Sequence, residues 1–227
     1  MKLQDFVDEA YYINLDYRTD RREFMENQLK NLGLIDFIKR VPGVNVFDKT
    51  EYIRESNDKM FLAGQACSLA HKNVIRMAKE NGSKNVLILE DDALFYNCDS
   101  YEGLDIIEKS LDNLSKIDNW EIFYLGSNIF DKELNMVDDN LIKCECCVSL
   151  QGYIVNHTCF DKILENKFDK PYDVMDIFVN NNFKEKYITY PVALLQKGND
   201  VSDIGGHKTM GDDFWVNQFN KPIVKKY

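Results

Sequence analysis

Apolar positions along the chain alternate between two spacings. Ala10-Tyr11-Tyr12-Ile13-Asn14-Leu15 is rich in aromatic and β-branched residues and predicts a strand. Phe24, Met25, Gln28, Leu29 and Leu32 recur at helical spacing, so a helix follows, with Thr19 or Asp20 as its cap and Gly33 as its stop. A short strand over 37–41 ends at Pro42, and residues 43–63 read as a loop or a short helix. Ala66, Leu69, Ala70, Asn73, Val74 and Met77 mark a second helix, closed by Gly82. Val86-Leu87-Ile88-Leu89 is an unbroken apolar run, the mark of a strand covered on both faces. Leu104, Ile107, Leu111 and Leu114 mark a third helix. Strands are predicted over 121–125, 142–148, 151–155 and 188–195, with short helices near 158–166 and 173–183 and loop beyond. Alternation of strands and helices gives a parallel sheet with helices on both faces. The second half is richer in strands and less regular. The expected fold is therefore α/β, with a mixed, mostly parallel central sheet flanked by helices.

Composition narrows the class without changing it. With 227 residues, no repeat and no Pro-, Gly- or Ser-rich linker, one domain over 1–227 is expected. A domain of that size buries enough surface to need no disulfides. Lys and Arg number 28 against 38 Asp and Glu, a formal charge of -10, which argues against a nucleic-acid or anionic-membrane surface. No signal peptide and no apolar run long enough to span a membrane is visible, so a cytoplasmic protein with six reduced cysteines is expected.

Chemistry concentrates at Glu90-Asp91-Asp92, directly after the apolar run. Ligands of open α/β sheets sit at the carboxyl ends of strands. Three carboxylates there repel one another unless a cation intervenes, and i, i+2 spacing in extended chain would turn Glu90 and Asp92 toward one ion. Oxygen donors suit Mg²⁺ or Mn²⁺, which can clamp a diphosphate. The competing reading is a solvated turn. Asn14, Asp16 and Arg21 lie where a strand leads into a helix, a geometry that can hold a nucleotide or simply a capped helix with solvated arginines. Neither a dinucleotide fingerprint nor a P-loop is present. Cys67 and His71 share a helix face and could give half of a zinc site, with Cys144-Glu145-Cys146-Cys147 as the other half, although the spacings match no standard module. His157 reads as a surface or helix-start residue. His207, after Gly205-Gly206, could swing toward a cation. Asp173 and Asp176 near a helix start are either caps or a general base.

These residues, taken in order, resemble glycosyltransferase family 25, which includes lipooligosaccharide and procollagen galactosyltransferases. Tyr12-Ile13-Asn14-Leu15-Asp16 with Arg21-Arg22, Ala66-Cys67-Ser68-Leu69-Ala70-His71, and Leu87-Ile88-Leu89-Glu90-Asp91-Asp92-Ala93 match three of the family's blocks. Gly152-Tyr153-Ile154-Val155, Asp176-Ile177-Phe178, and Gln196 with Ser202-Asp203-Ile204 match three more, so the resemblance spans about 11–204. Three positions depart from it: Ala66 stands for Gly, Ala70 for the Ser before His71, and Met175 for Val. The resemblance implies a GT-A type fold, a UDP-sugar donor, Mn²⁺ (or Mg²⁺), a hydroxyl acceptor on a glycan or hydroxylysine, and an inverting single displacement. It assigns Asp92 and Glu90 to the metal; the third protein ligand stays open, and His207, from its place in the polar loop, is the candidate for it. It assigns Asn14, Asp16, Arg21, Asp91, Gln196 and Asp203 to the donor side, and Asp176 to the acceptor side as base. The alternative is a catalytically silent module that binds a nucleotide sugar or glycan. A metal-dependent phosphohydrolase is a weaker third reading, since three histidines supply few ligands.

Overall fold

The computed structural model describes residues 1–45, 59–170, 173–198, 200, 203, 214, 217 and 221–225. Its elements, in chain order, are α1 (Leu3–Phe6), β1 (Glu9–Asn14), α2 (Thr19–Asn31), β2 (Ile38–Pro42), α3 (Lys59–Glu80), β3 (Asn85–Glu90), β4 (Ala93–Phe95), α4 (Glu102–Leu114), β5 (Ile122–Ile129), β6 (Leu134–Asp138), β7 (Leu141–Lys143), β8 (Cys147–Asn156), α5 (Phe160–Glu165), α6 (Met175–Asn182), β9 (Lys186–Thr189), β10 (Leu194–Gln196) and β11 (Ile223–Lys225). Nine strands form one sheet in the order β11-β6-β7-β9-β5-β8-β3-β1-β2, and β10 pairs with β4 in a second, two-stranded sheet. The sheet is mixed: β2, β1 and β3 run parallel, β8 is antiparallel to both β3 and β5, and β5 is parallel to β9.

Strand period two divides the core cleanly. Tyr11, Val86, Ile88, Ile122, Tyr124, Tyr153 and Val155 pack on one face with Val74, Ile75 and Ala78 of α3, Phe160 and Ile163 of α5, and Met175 and Val179 of α6. Tyr12, Leu87, Leu89, Phe123, Leu125 and Ile154 pack on the other with Met25 and Leu29 of α2 and Leu104, Ile107 and Leu111 of α4. Val86, Leu87, Ile88 and Leu89 are all fully buried. Each such side chain contributes roughly 1.5–3 kcal/mol, so β3 is fixed from both sides.

The α/β class and helix-flanked mixed sheet follow the sequence reading, with local differences. α2 starts at Arg18 without a side-chain cap, because Thr19 and Asp20 already lie inside the helix. Gly33 and Gly82 do stop their helices, at φ of +67 and +77. The single strand expected over 188–195 is two: β9 ends before Pro191, which has no N–H for a ladder, and β10 starts afterwards in the other sheet. β4, β6 and β11 are additional strands, and the strand expected over 142–148 is not one piece, since β7 ends at Lys143 and β8 starts at Cys147; Leu134-Asn135-Met136-Val137-Asp138 lacks a clean alternation beyond two buried positions. No described helix is long and apolar enough to cross a membrane.

One packing detail places the site. β10 crosses over β5 and β8 at two glycines. A Cβ on Gly126 would stand 1.9 Å from the Leu194 carbonyl oxygen, and one on Gly152 would stand 2.1 Å from Leu194 Cδ2. Only glycine lets β10 lie that close. On its other side β4 is held by Gln28 of α2, whose amide donates to the Ala93 carbonyl at 2.9 Å and accepts from the Phe95 N–H at 3.0 Å. Pairing of Gln196 with Ala93 then brings Gln196 beside Asp92.

Candidate active site

The chain leaves β1 toward β2 on one side and returns through α3 to β3 on the other. That reversal opens a crevice between the carboxyl ends of β1 and β3, the usual ligand position of an open α/β sheet. A cleft with about 190 Å³ of room opens there, walled by Ile13, Leu15, Arg21, Cys67, His71, Glu90, Asp91, Asp92, Gln196 and Asp203 among others.

β3 ends at Glu90, and Asp91 and Asp92 lie in a turn. The extended i, i+2 geometry expected to aim Glu90 and Asp92 at one ion therefore stops one residue too early. Glu90 continues the Val86–Ile88 row toward α3, whereas Asp91 and Asp92 turn to α2. Arg21, only 5% exposed, meets them there. Its Nη1 lies 2.9 Å from Asp91 Oδ1 and 3.2 Å from Asp92 Oδ2, and its Nε lies 2.9 Å from Asp200 Oδ2. The repulsion that seemed to demand a cation is thus partly offset by the protein's own guanidinium. Asn14 Nδ2 donates to Asp91 Oδ2 at 2.7 Å, and Gln196 Nε2 donates to Asp92 Oδ2 at 3.1 Å.

Asp92 Oδ1, by contrast, is buried with no hydrogen-bond partner among the described residues. An orphaned carboxylate oxygen costs free energy unless a ligand completes it. Burial pushes the Asp92 carboxyl up to about 7, with Glu90 adding to the rise and Arg21 opposing it. Burial likewise raises Asp91, against the pull of Arg21 and Asn14. This oxygen and the cleft beside it suit a hard divalent cation or a donor group.

On the α3 side, His71 Nε2 lies 3.3 Å from Glu90 Oε1, and its Nδ1 is 3.0 Å from the Tyr153 hydroxyl. Cys67 sits one helical turn away on the same face. Burial drives its thiol well up, and Glu90, Asp176, Asp92 and Asp91 add to the rise.

Of the residues singled out in the sequence, Arg21, Glu90, Asp91, Asp92, Gln196 and Asp203 come together as cleft walls. Asn14 stands behind the wall: it orients Asp91 and accepts from Arg40 Nε at 2.9 Å. Asp16 is exposed and paired with Arg40. Neither is among the residues lining the cleft. Asp176 opens α6, accepts from the Ser149 N–H at 3.4 Å and its own Ile177 N–H at 2.8 Å, and is raised by burial and by Glu90. It does not line the cleft. Asp173 accepts from Asn166, away from the site. His207 lies outside the described residues. The second half of the suggested zinc site does not join Cys67 and His71; among the described residues their partner is Glu90.

Three participants went unassigned in the sequence. Arg18 pairs with Asp203 at 2.5 Å and Asp20 at 2.9 Å, Tyr17 donates to Asp203 at 3.2 Å, and Asp200 receives Arg21. Their signal was the concentration of charge in 16–22 facing that in 200–203, invisible without knowing that the two segments meet.

Residues 7–178 match the sequence profile of glycosyltransferase family 25 (LPS biosynthesis protein). A curated relative, a glycosyltransferase 25 family member of Aedes aegypti, is 27% identical; the match covers 96% of this chain and 40% of the relative, so the chain spans less than half of that protein's length. Among solved structures, a glycosyltransferase involved in glycosylation of the major capsid of PBCV-1 shows TM-score 0.42 and 7% identity, over 77% of this chain and 74% of the other. A mannose-1-phosphate geranyltransferase of Thermus thermophilus shows TM-score 0.38 and 11% identity, over 79% and 58%. Both likenesses are too low to bear on function. The profile match covers most of the chain and includes β1, α3, the Glu90–Asp92 segment and β8: the chain belongs to glycosyltransferase family 25.

Proposed function

We propose that this chain moves a hexose, galactose or glucose, from a UDP-sugar to a hydroxyl of a glycan or hydroxylysine, with inversion, as one GT-A type catalytic unit using Mn²⁺ or Mg²⁺. The observation that carries the reading is Asp92 Oδ1, buried without a hydrogen-bond partner among the described residues, in a cleft at the sheet's switch point. Asp92 would hold the cation, and Glu90, which faces α3, would reach it only with its second carboxylate oxygen. When bound, that cation supplies positive charge against the negative charge growing on the departing diphosphate.

The chain's own residues divide the remaining work. Arg21, fixed by Asp91 and Asp200, brings a guanidinium to the cleft wall, where it can face phosphate oxygens. Asn14 and Gln196 set the orientation of Asp91 and Asp92. Ile13 and Leu15 give an apolar border suited to a base or sugar face. A sugar hydroxyl is a poor nucleophile, and a base that takes its proton is worth about 10²–10⁴-fold; Asp176, at the start of α6 beyond the cleft lining and with proton affinity raised by burial, takes that role in this reading only for an acceptor that enters from the α6 side.

Turnover of UDP-galactose and UDP-glucose with Mn²⁺, with and without glycan acceptors, tests the reading. Asp92→Asn should lower it by at least about 10²-fold while the circular dichroism spectrum is unchanged. Full activity in that variant removes Asp92 from the mechanism.

A second reading has one observation in its favour. Ala70, where the family resemblance expects Ser, lines the cleft and offers no hydroxyl. A silent nucleotide-sugar-binding module would show calorimetric binding of UDP-sugar with Mn²⁺ and no turnover over a broad acceptor panel.

A further inference from the structure

Cys67, His71 and Glu90 each present one donor atom, Sγ, an imidazole nitrogen and a carboxylate oxygen, and these atoms lie within 4.8 Å of one another. We propose that they form a binding site for a thiophilic divalent cation of the Zn²⁺ class, distinct from the carboxylate site of Asp92.

The spacing is that of a ligand set nearly assembled. Zn²⁺ takes sulfur at about 2.3 Å and nitrogen or oxygen at about 2.0–2.2 Å, so tetrahedral donors stand roughly 3.3–3.8 Å apart. His71 Nε2 and Glu90 Oε1 are already 3.3 Å apart. Cys67 and His71 are held one turn apart on the 22-residue helix α3, and Glu90 is fixed at the end of β3. Side-chain rotation alone can close the remaining gap.

The surroundings support the same ligand. Tyr153 meets His71 Nδ1 at 3.0 Å, the outer contact that metal-bound imidazoles generally have. A tyrosine hydroxyl can donate or accept, so the ring can offer Nε2 protonated to Glu90 or bare to a cation. The charges that act on Cys67 are those of Glu90, Asp176, Asp92 and Asp91, all negative. Arg21 stands across the cleft, against Asp91, Asp92 and Asp200. The three donors also line the cleft, so a fourth coordination position would face a bound molecule or water. That is the open arrangement of a reactive zinc centre rather than a closed structural one. Thiolate plus imidazole selects Zn²⁺ or Co²⁺ over Mg²⁺ and Mn²⁺. A carboxylate has two oxygens, so Glu90 can border both this site and that of Asp92.

The proposal does not rest on glycosyl transfer, and its test reads the metal rather than turnover. The whole chain, reduced and freed of metal, is titrated with Co²⁺ and then Zn²⁺. We expect about one equivalent of Co²⁺ to give a thiolate-to-cobalt charge-transfer band in the near ultraviolet, discharged by Zn²⁺. Cys67→Ser should abolish the band. His71→Asn and Glu90→Gln should weaken binding by more than about 10-fold, and Tyr153→Phe by about 10-fold, as outer partners of metal-bound histidine do. Asp92→Asn should keep the band, even though it should lose Mn²⁺-dependent turnover. No thiolate band in the wild-type chain overturns the proposal, whatever the variants do. So does a band that persists in Cys67→Ser, which would trace to Cys144, Cys146 or Cys147. Should Cys67→Ser fail to fold, unchanged affinity in His71→Asn and Glu90→Gln overturns it equally.

Discussion

The two sides of the β3 terminus hold their negative charge differently. Asp91 and Asp92 face α2, where the buried guanidinium of Arg21 is part of the fold. Glu90 faces α3, where it meets His71 and Cys67 and no permanently charged cation stands among the described partners. One run of three acidic residues thus gives a side whose charge is partly offset by a built-in guanidinium and a side that meets only an imidazole and a thiol among the described residues. The division comes from strand alternation: Glu90 shares the face of Val86 and Ile88, and the chain turns immediately afterwards. An acidic cluster is consequently not one site but as many sites as the backbone has faces.

The difference can be broken most violently at Arg21. Arg21→Met leaves Asp91 and Asp92 buried without that guanidinium, which should cost about 3–5 kcal/mol and lower the melting temperature by roughly 10 °C or more. A small change in melting would mean that the carboxylates are compensated elsewhere. A milder blow is Gly126→Ala, whose Cβ would collide with the Leu194 carbonyl and push β10, with Gln196, away from Asp92. Overpacking of that kind costs about 1–3 kcal/mol, read by urea denaturation, and nucleotide-sugar affinity should fall with it.

A pH comparison sharpens the account further. The folded chain holds the Asp92 proton up to about 7, whereas an unstrained carboxyl releases it at 3.8. Between those values the folded state binds more protons, so this group's stabilising contribution is present on the acid side and is lost as pH rises through 7. The melting temperature of metal-free wild type, relative to Asp92→Asn, should therefore fall by a few degrees from about pH 5 to about pH 8, at about 2–4 °C per kcal/mol. A difference independent of pH removes the raised Asp92 from the picture. The smallest effect is expected at Gln196. Gln196→Ala removes one hydrogen bond to Asp92, worth about 1 kcal/mol, and should weaken UDP-sugar binding less than about 10-fold by calorimetry.

What the sequence disclosed follows from how local each signal is. β3 and α4 were legible because four consecutive apolar residues and a three-to-four spacing describe buried surfaces directly. The Glu90–Asp92 segment was legible because it follows that strand. Splitting of 188–195 at Pro191 into two sheets was not, because it depends on Gly126 and Gly152 clearing space far away in the chain. Taken alone, Arg21 read more readily as a solvated arginine of a capped helix than as a residue of the site. Its burial depends on Asp200, 179 residues away, and on a turn placing Asp91 and Asp92 within reach. Cys67 and His71 showed their helical spacing, but the third member came from β3 rather than from the cysteine-rich segment, a choice only the tertiary fold makes.

The central claim is that the Asp92 side of this cleft holds a nucleotide sugar together with a divalent cation. Thermal denaturation with UDP-galactose or UDP-glucose, with and without Mn²⁺, measures that directly. Ligand at about 100 times its Kd stabilises the fold by about 2.7 kcal/mol. The account predicts a rise in melting temperature when donor and Mn²⁺ are present together, much smaller with either alone, and lost in Asp92→Asn. No shift with any nucleotide sugar, or an undiminished shift in Asp92→Asn, would contradict it.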